Sequence, residues 1–386
     1  MKAKDIFKEA IYSLRNRKAY RFYSSQFKRY LALHHFDDEK APGEEAYLEL
    51  WHSLSKHVEP YSYRFFRHFC GDTPRIVPED IGHSIIEDVL CPSAYRGVYS
   101  DKNLFPLIVG KENLPRTLLY RINGGCLLDS DFHPIDKDVL SYLSSVSSVI
   151  LKPSINSCSG QGIKKFTRRE DGFFSVDKGV ALTKEYLLAY GDDFCLQEAI
   201  EQHPFLSQLC PSSVNTIRIC LYRSVKNDES IVTSSVLRVG KAGKYVDNAH
   251  SGGFFAGVNK DTGELGKYVM DQYGNKKEEW NGVNYSSAPM FIPNWDKVLL
   301  FAKNIGDRIL HHRLIALDIA LDKNGEPVLI EFNLGMFSYW LFMYTNQEVF
   351  GEYTDEVIDY CKKQYPKLKR NFKRDIGYLL RSLIIK

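Results

Sequence analysis

The chain has 386 residues, 44% hydrophobic and 26% charged, with a formal net charge of +3. That is the composition of an ordinary globular protein of two or three domains, and so small a charge excess gives no ground for a nucleic-acid partner. No basic-aromatic motif of an RNA-binding sheet is present, no apolar run is long enough to span a membrane, and the N-terminus lacks the apolar stretch of a secretory signal, so a cytoplasmic protein is expected.

Residues 1 to about 95 carry helical periodicity. AYLELWHSLSKHV repeats apolar residues at helical spacing, and IGHSIIEDVLCP stops at a proline. From about residue 100 the texture changes. PRTLLYRINGGCLL predicts strand, turn and strand, and SVILKPSI a short strand. A small-residue loop, NSCSGQG, follows, and then the strand DDFCLQEAI. SVNTIRICLYRS and SIVTSSVLRVGK predict a hairpin about the turn VKNDE. After a loop-strand segment with a KDTG turn, NWDKVLLFAKNIGDRILHH predicts an amphipathic helix. RLIALDIALDKNGEPVLIEFN is strand, turn and strand, and the tail from Gly351 is helical and basic. Hairpins mixed with helices, without βαβ alternation, predict an α+β protein. The eight cysteines form no C-x-x-C pair, so reduced, buried thiols are expected.

Three features carry chemistry. The stretch LIEFNLGM sets Glu331 and Asn333 on one face of a strand, since residues two apart point the same way. Asp318, thirteen residues before Glu331, lies on the preceding strand of the same hairpin. Two carboxylates and an amide carbonyl suit Mg²⁺ shared with substrate phosphates; exposed acids on a surface hairpin are the bland alternative. Lys152 sits on a strand just before the small-residue loop, whose backbone N–H groups can approach phosphate oxygens. An ordinary hairpin loop is the alternative here, because neither a P-loop nor G-x-G-x-x-G is present. The strand ending in Gln197-Glu198 can offer backbone groups to an adenine, with Glu201 near a ribose hydroxyl.

The order of these parts resembles the ATP-grasp enzymes over roughly residues 100–340. The resemblance implies two α+β lobes clasping ATP, with an N-terminal helical region. Its implied divisions are 1–98, a helical cap over the acceptor site; 99–195, a first lobe with a phosphate lid loop; 196–345, a second lobe with the metal site; and 346–386, a basic helical tail. Lys102 and Lys152 become the nucleotide lysines, and Ser157 to Gly162 the lid, with Ser157, Ser159, Gly160 and Gly162 on the phosphates. Gln197, Glu198 and Ile200 line the adenine, Glu201 takes the ribose, and Asp318, Glu331 and Asn333 hold two Mg²⁺ ions, with Mn²⁺ as a stand-in. The middle segment, with SVNTIRI, Arg238 and DNAHSGG, is similar to glutamate ligases that add amino acids to proteins. Asn215, Arg218 and Arg238 are its catalytic candidates, the guanidinium groups offsetting phosphoryl charge. D-alanine–D-alanine ligase carries an arginine two residues before its first metal aspartate, where this chain has Ala316. PSSVNTIR and VDN…GG look most like the sugar-transfer-associated ATP-grasp family of bacterial polysaccharide biosynthesis.

The implied activity is a Mg-ATP-dependent carboxylate–amine ligase that works through an acyl-phosphate. Its partners are small molecules, an acid and an amine, one of them sugar-linked. A kinase acting on a sugar or other hydroxyl, and an ATP-binding protein without turnover, are the alternatives. His250 is a candidate proton carrier, with a local hydrogen-bonding role as its alternative. From Lys362 to Lys386 the tail could form a basic amphipathic helix resting on an anionic inner-membrane surface, or a solvated face packed on the second lobe.

Overall fold

The computed structural model describes residues 3–135, 138–155 and 160–370. The N-terminal region is helical as expected, with helices Ala3–Leu33, Glu44–His52 and Tyr61–Cys70. IGHSIIEDVL forms an interrupted helix: α-helical Glu79–Ile81, a π-helical turn Gly82–Ile86, and α-helical Glu87–Leu90, ending just before Pro92. Glycine is required at Gly82, because a Cβ there would come within 2.6 Å of the Tyr339 ring.

Two antiparallel sheets follow. The first comprises β1 (Thr117–Arg121), β2 (Leu127–Leu128), β3 (Ser148–Pro153), β4 (Lys164–Arg169), β5 (Gly172–Ser175) and β6 (Phe194–Glu198), in the order β2-β1-β6-β3-β4-β5. The second begins with β7 (Ile217–Arg223), β8 (Ser230–Val239), β9 (Phe254–Val258), β10 (Leu265–Met270) and β11 (Lys276–Lys277). After a small ribbon of β12 (Glu279–Trp280) and β13 (Val283–Asn284), it resumes with β14 (Leu314–Leu321) and β15 (Pro327–Asn333). Its order is β11-β10-β9-β8-β7-β14-β15. The predicted hairpins are present, β7–β8 and β14–β15 each pairing antiparallel. The DKNG turn of the second works because Gly325 takes φ 80°, while the Asp322 carboxylate accepts from the Asn324 and Glu326 amides at 2.9 Å each.

Each sheet has its own core. The first buries Val149, Leu151, Phe166 and Leu196 against local helices. The second is covered on both faces. One face, with Ile219, Leu317 and Leu329, packs on helix Trp295–Arg308, whose Trp295, Val298, Ala302 and Ile305 form its inward stripe. The other face, with Cys220, Tyr222, Val236 and Ala316, shares a core with the N-terminal helices and with residues 337–365. Edge-on aromatic contacts seam that core: Phe66 meets Phe27 at 5.3 Å and Tyr344 at 5.2 Å. Each such pair contributes about 0.5–1.5 kcal/mol beyond its buried area. The N-terminal helices are therefore built into the second sheet's core.

Helix Thr354–Arg370 forms the start of the tail, whose remainder, 371–386, lies outside the described residues along with the membrane-surface expectation placed on it. Among the described residues no helix is long and apolar enough to cross a membrane. The described cysteines are unpaired, five of them buried.

Candidate functional site

The second sheet carries a row of charge on the face toward the N-terminal helices. In β7, Arg218 shares the parity of Cys220 and Tyr222; in β14, Asp318 shares that of Leu314 and Ala316, all on that face. Strand register sets Asp318 opposite Arg218 on one side and opposite Glu331 on the other. The β14–β15 register shifts between Asp318 and Ile319, whose partners are Glu331 and Leu329. That one-residue bulge lets Leu329 point into the core while Glu331 and Asn333 face the opposite way.

Asp318 is only 2% exposed. Arg218 grips it with two nitrogens, Nε on Oδ1 and Nη2 on Oδ2 at 2.8 Å, and Arg238 Nη1 donates to Oδ2 at 3.0 Å. Burial would push the Asp318 pKa up; the two guanidinium groups outweigh it and hold the carboxyl below its usual value. Arg238 also pairs with Asp247 at 3.0 Å, and Asp247 accepts from the Thr216 amide at 3.0 Å and from its hydroxyl. Two arginines and two carboxylates thus form one buried network.

The first sheet faces this row with Ile150 and Lys152, on the side of β3 opposite the core residues Val149 and Leu151. Lys152 is 7% exposed. Among the described residues no carboxylate pairs with it and no hydrogen bond is made by its ammonium. Burial, with Lys102 nearby, lowers its pKa. Lys102 stands on the turn Lys102–Leu104, fixed by its own amide on the Ser154 carbonyl at 3.0 Å, and its ammonium lies 3.6 Å from Glu331. Gln197 donates to the Thr117 hydroxyl at 2.9 Å.

Between the sheets and the N-terminal helices runs one cleft of about 740 Å³. Lys102, Lys152, Gly160, Gln197, Glu198, Ile200, Arg218, Arg238, Asp318, Glu331 and Asn333 all line it. Ser157 and Ser159 lie outside the described residues. Three candidates do not line the cleft. Asn215 is fully buried, its amide donating to the Leu206 and Cys210 carbonyls at 2.8 and 3.0 Å and its oxygen accepting from the Gly240 amide at 3.2 Å. With every polar atom engaged, it is a positioning residue for the loop before β7 rather than a catalytic one. Glu201 is exposed and pairs with Lys323 at 2.9 Å. Gly162 is held by the Tyr190 hydroxyl, which donates to its carbonyl at 2.7 Å.

The sequence reading also passed over residues that the fold brings in. Asp247 stood in the quoted VDN string without a role. Glu79 and His83, which line the far end of the cleft, carried an i,i+4 polar spacing inside an apolar helix. His250 lines the cleft too, its Nδ1 on the Gln272 side-chain oxygen. Asp318, Glu331 and Asn333 carry hard oxygen donors of the kind a divalent cation takes: Asp318 Oδ2 is taken up by both arginines while Oδ1 accepts from one, and among the described residues no hydrogen bond engages the Asn333 side-chain amide, whose buried Nδ2 has no partner.

A model of the sugar-transfer associated ATP-grasp family matches residues 92–357. Among solved structures the chain is similar to an L-amino acid ligase from Bacillus licheniformis, at 11% identity and TM-score 0.33, over 63% of this chain and 42% of that one. A D-cycloserine synthetase matches at 11% identity and TM-score 0.39, over 71% and 73% of the two chains. A D-Ala:D-Ser ligase from Enterococcus faecalis matches at 12% and 0.39, over 71% and 64%. The chain spans less than half of the first of these relatives. No curated protein matches.

Proposed function

This chain belongs to the sugar-transfer associated ATP-grasp family, and from that premise we propose that it is an ATP-dependent carboxylate–amine ligase. The observation that carries the reading is Lys152, a buried ammonium that no carboxylate pairs with among the described residues, facing a row of arginines and carboxylates across one cleft. A buried cation of this kind is stabilised by an anion brought from outside, and a triphosphate supplies one.

The adenine would lie among Ile150, Ile200, Gln197 and Glu198, and the phosphates on Lys102, Lys152 and the loop at Gly160. Asp318, Glu331 and Asn333 would hold Mg²⁺, two ions or Mn²⁺ in its place, which supplies charge neutralisation at the β- and γ-phosphates. A substrate carboxylate oxygen attacks the γ-phosphorus, and the bond to ADP breaks. The amine nitrogen then attacks the acyl carbon, loses a proton, and phosphate leaves with the acyl oxygen. Arg218 and Arg238 stabilise the oxyanions in both steps, held in place by Asp318 and Asp247. The reading extends to an amino acid, or a similar acid, joined to an amino sugar or uronic-acid unit of a surface polysaccharide.

The test is ADP release from Mg-ATP with a panel of amino acids and uronic acids, hydroxylamine being the trap. Wild type is expected to give a hydroxamate, and Glu331→Ala on the order of 100-fold less. A stable phosphorylated product with no hydroxamate would make the protein a kinase.

A further inference from the structure

The far end of the cleft is made by the N-terminal helices, which the family match, beginning at residue 92, leaves out. Its polar floor is a chain of three side chains. His83 contacts Glu79 Oε2 through Nε2 at 2.9 Å and Glu87 Oε1 through Nδ1 at 2.6 Å. Glu87 is fully engaged, since its two oxygens also accept from the Met336 and Phe337 amides at 2.9 and 2.8 Å. Glu79 is not. It is 2% exposed and lines the cleft, and its Oε1 has no hydrogen-bond partner among the described residues. The His83 ring and the Trp340 backbone N–H act on this carboxylate, yet Oε1 is left without a donor of its own, a buried arrangement that favours one brought by a ligand.

The surroundings define that donor. Phe22, Tyr23, Phe27, Phe66 and Trp340 wall this end, and the Tyr23 ring stacks on His83 at 5.6 Å. The lysines and arginines lining the cleft, Lys102, Lys152, Arg218 and Arg238, stand on or beside the sheets. Burial would drive the His83 imidazolium to lose its proton, but the two flanking carboxylates hold its pKa up, at about 10. Burial also raises the Glu79 pKa, and the His83 imidazolium works against that rise. A carboxylate beside aromatic faces complements a cation with N–H groups. The backbone bears the same mark, because His83 stands in the π-helical turn Gly82–Ile86, a distortion that recurs at functional sites.

We propose that this end of the cleft is the acceptor pocket, in which Glu79 Oε1 takes a charge-assisted hydrogen bond from an ammonium group of the acceptor, held between aromatic rings. The proposal rests on the ligase reading above and narrows it: the acceptor is recognised as an ammonium by the N-terminal helices, and gives up one proton to solvent before its nitrogen attacks the acyl carbon. The cleft is then polarised, anions at the sheets and the cation at the helices.

The test is calorimetric binding to the full-length protein near neutral pH, with pairs of ligands matched except for an ammonium or a hydroxyl: glucosamine against glucose, and ethanolamine against ethylene glycol. Wild type is expected to prefer the ammonium member by on the order of 10-fold. Glu79→Gln should bring the preference to within about twofold. Should that variant not fold, Phe22→Ala, which removes an exposed ring at the pocket, is expected to weaken ammonium binding about threefold. Failure of wild type to prefer the ammonium member, or to bind either, overturns the proposal, as does a preference that survives Glu79→Gln. Wild-type hydroxamate formation is read alongside. If hydroxamate forms and the preference is absent, this proposal alone fails; if no hydroxamate forms, the ligase reading fails first.

Discussion

Lys152→Met is expected to raise the melting temperature of the ligand-free protein by a few degrees while weakening ATP binding by roughly 100-fold. Both effects come from one fact. The Lys152 ammonium is buried on β3 beside Lys102, and burial has lowered its pKa. For a lysine whose folded pKa is depressed, the cost to stability is full below that folded value. It fades as pH rises toward the ordinary lysine value, where both states are neutral. Methionine keeps most of the apolar stem and removes the charge. The stability gap between variant and wild type should therefore close as pH is raised toward the ordinary lysine value. Thermal melts with and without Mg-ATP measure both effects. A variant less stable than wild type without ligand, or one that retains the full ATP-induced shift, would contradict this account of Lys152.

Arg238→Met is expected to cost about 3–5 kcal/mol of stability, because Asp247 and Asp318 then lose a buried partner. It should also lower kcat by about 10²- to 10³-fold, through loss of a donor to the developing oxyanion. The two effects separate in the double variant Arg238→Met/Asp247→Asn. Removing the stranded Asp247 charge should recover part of the stability, as urea unfolding would report, without restoring turnover. Recovery of kcat together with stability would show that Arg238 acts only as a structural clamp.

These expectations depend on features that were unequally legible in the sequence. The hairpin of β14 and β15 was readable, since DKNG is a local turn signal and two-residue alternation fixes which residues share a face. Carried on without a break, that pairing sets Asp318 opposite Ile330, and only a bulge brings Glu331 across from it. The bulge that turns Glu331 and Asn333 toward the cleft was not readable, because one extra residue in an apolar strand leaves no mark on composition. The role of Asn215 was hidden for a related reason: an asparagine in a loop looks the same whether it faces a ligand or closes backbone hydrogen bonds, and its partners Leu206 and Gly240 come from different elements. The arginine–aspartate network depends on β7, β8 and β14 being neighbours, and so on long-range pairing. Glu79 and His83 were spaced to meet on one helix face, yet only the packing of helix Ala3–Leu33 and of residues 337–344 over them makes a pocket wall.

The central claim is that a carboxylate oxygen becomes part of the released phosphate. The most direct measurement uses the acid that gives a hydroxamate, labelled with ¹⁸O in its carboxylate, and follows the label by mass spectrometry during turnover with Mg-ATP and an amine. Activation as an acyl-phosphate predicts that one labelled oxygen passes from each acid consumed into inorganic phosphate. Phosphate released without label, while the amide forms, would contradict it.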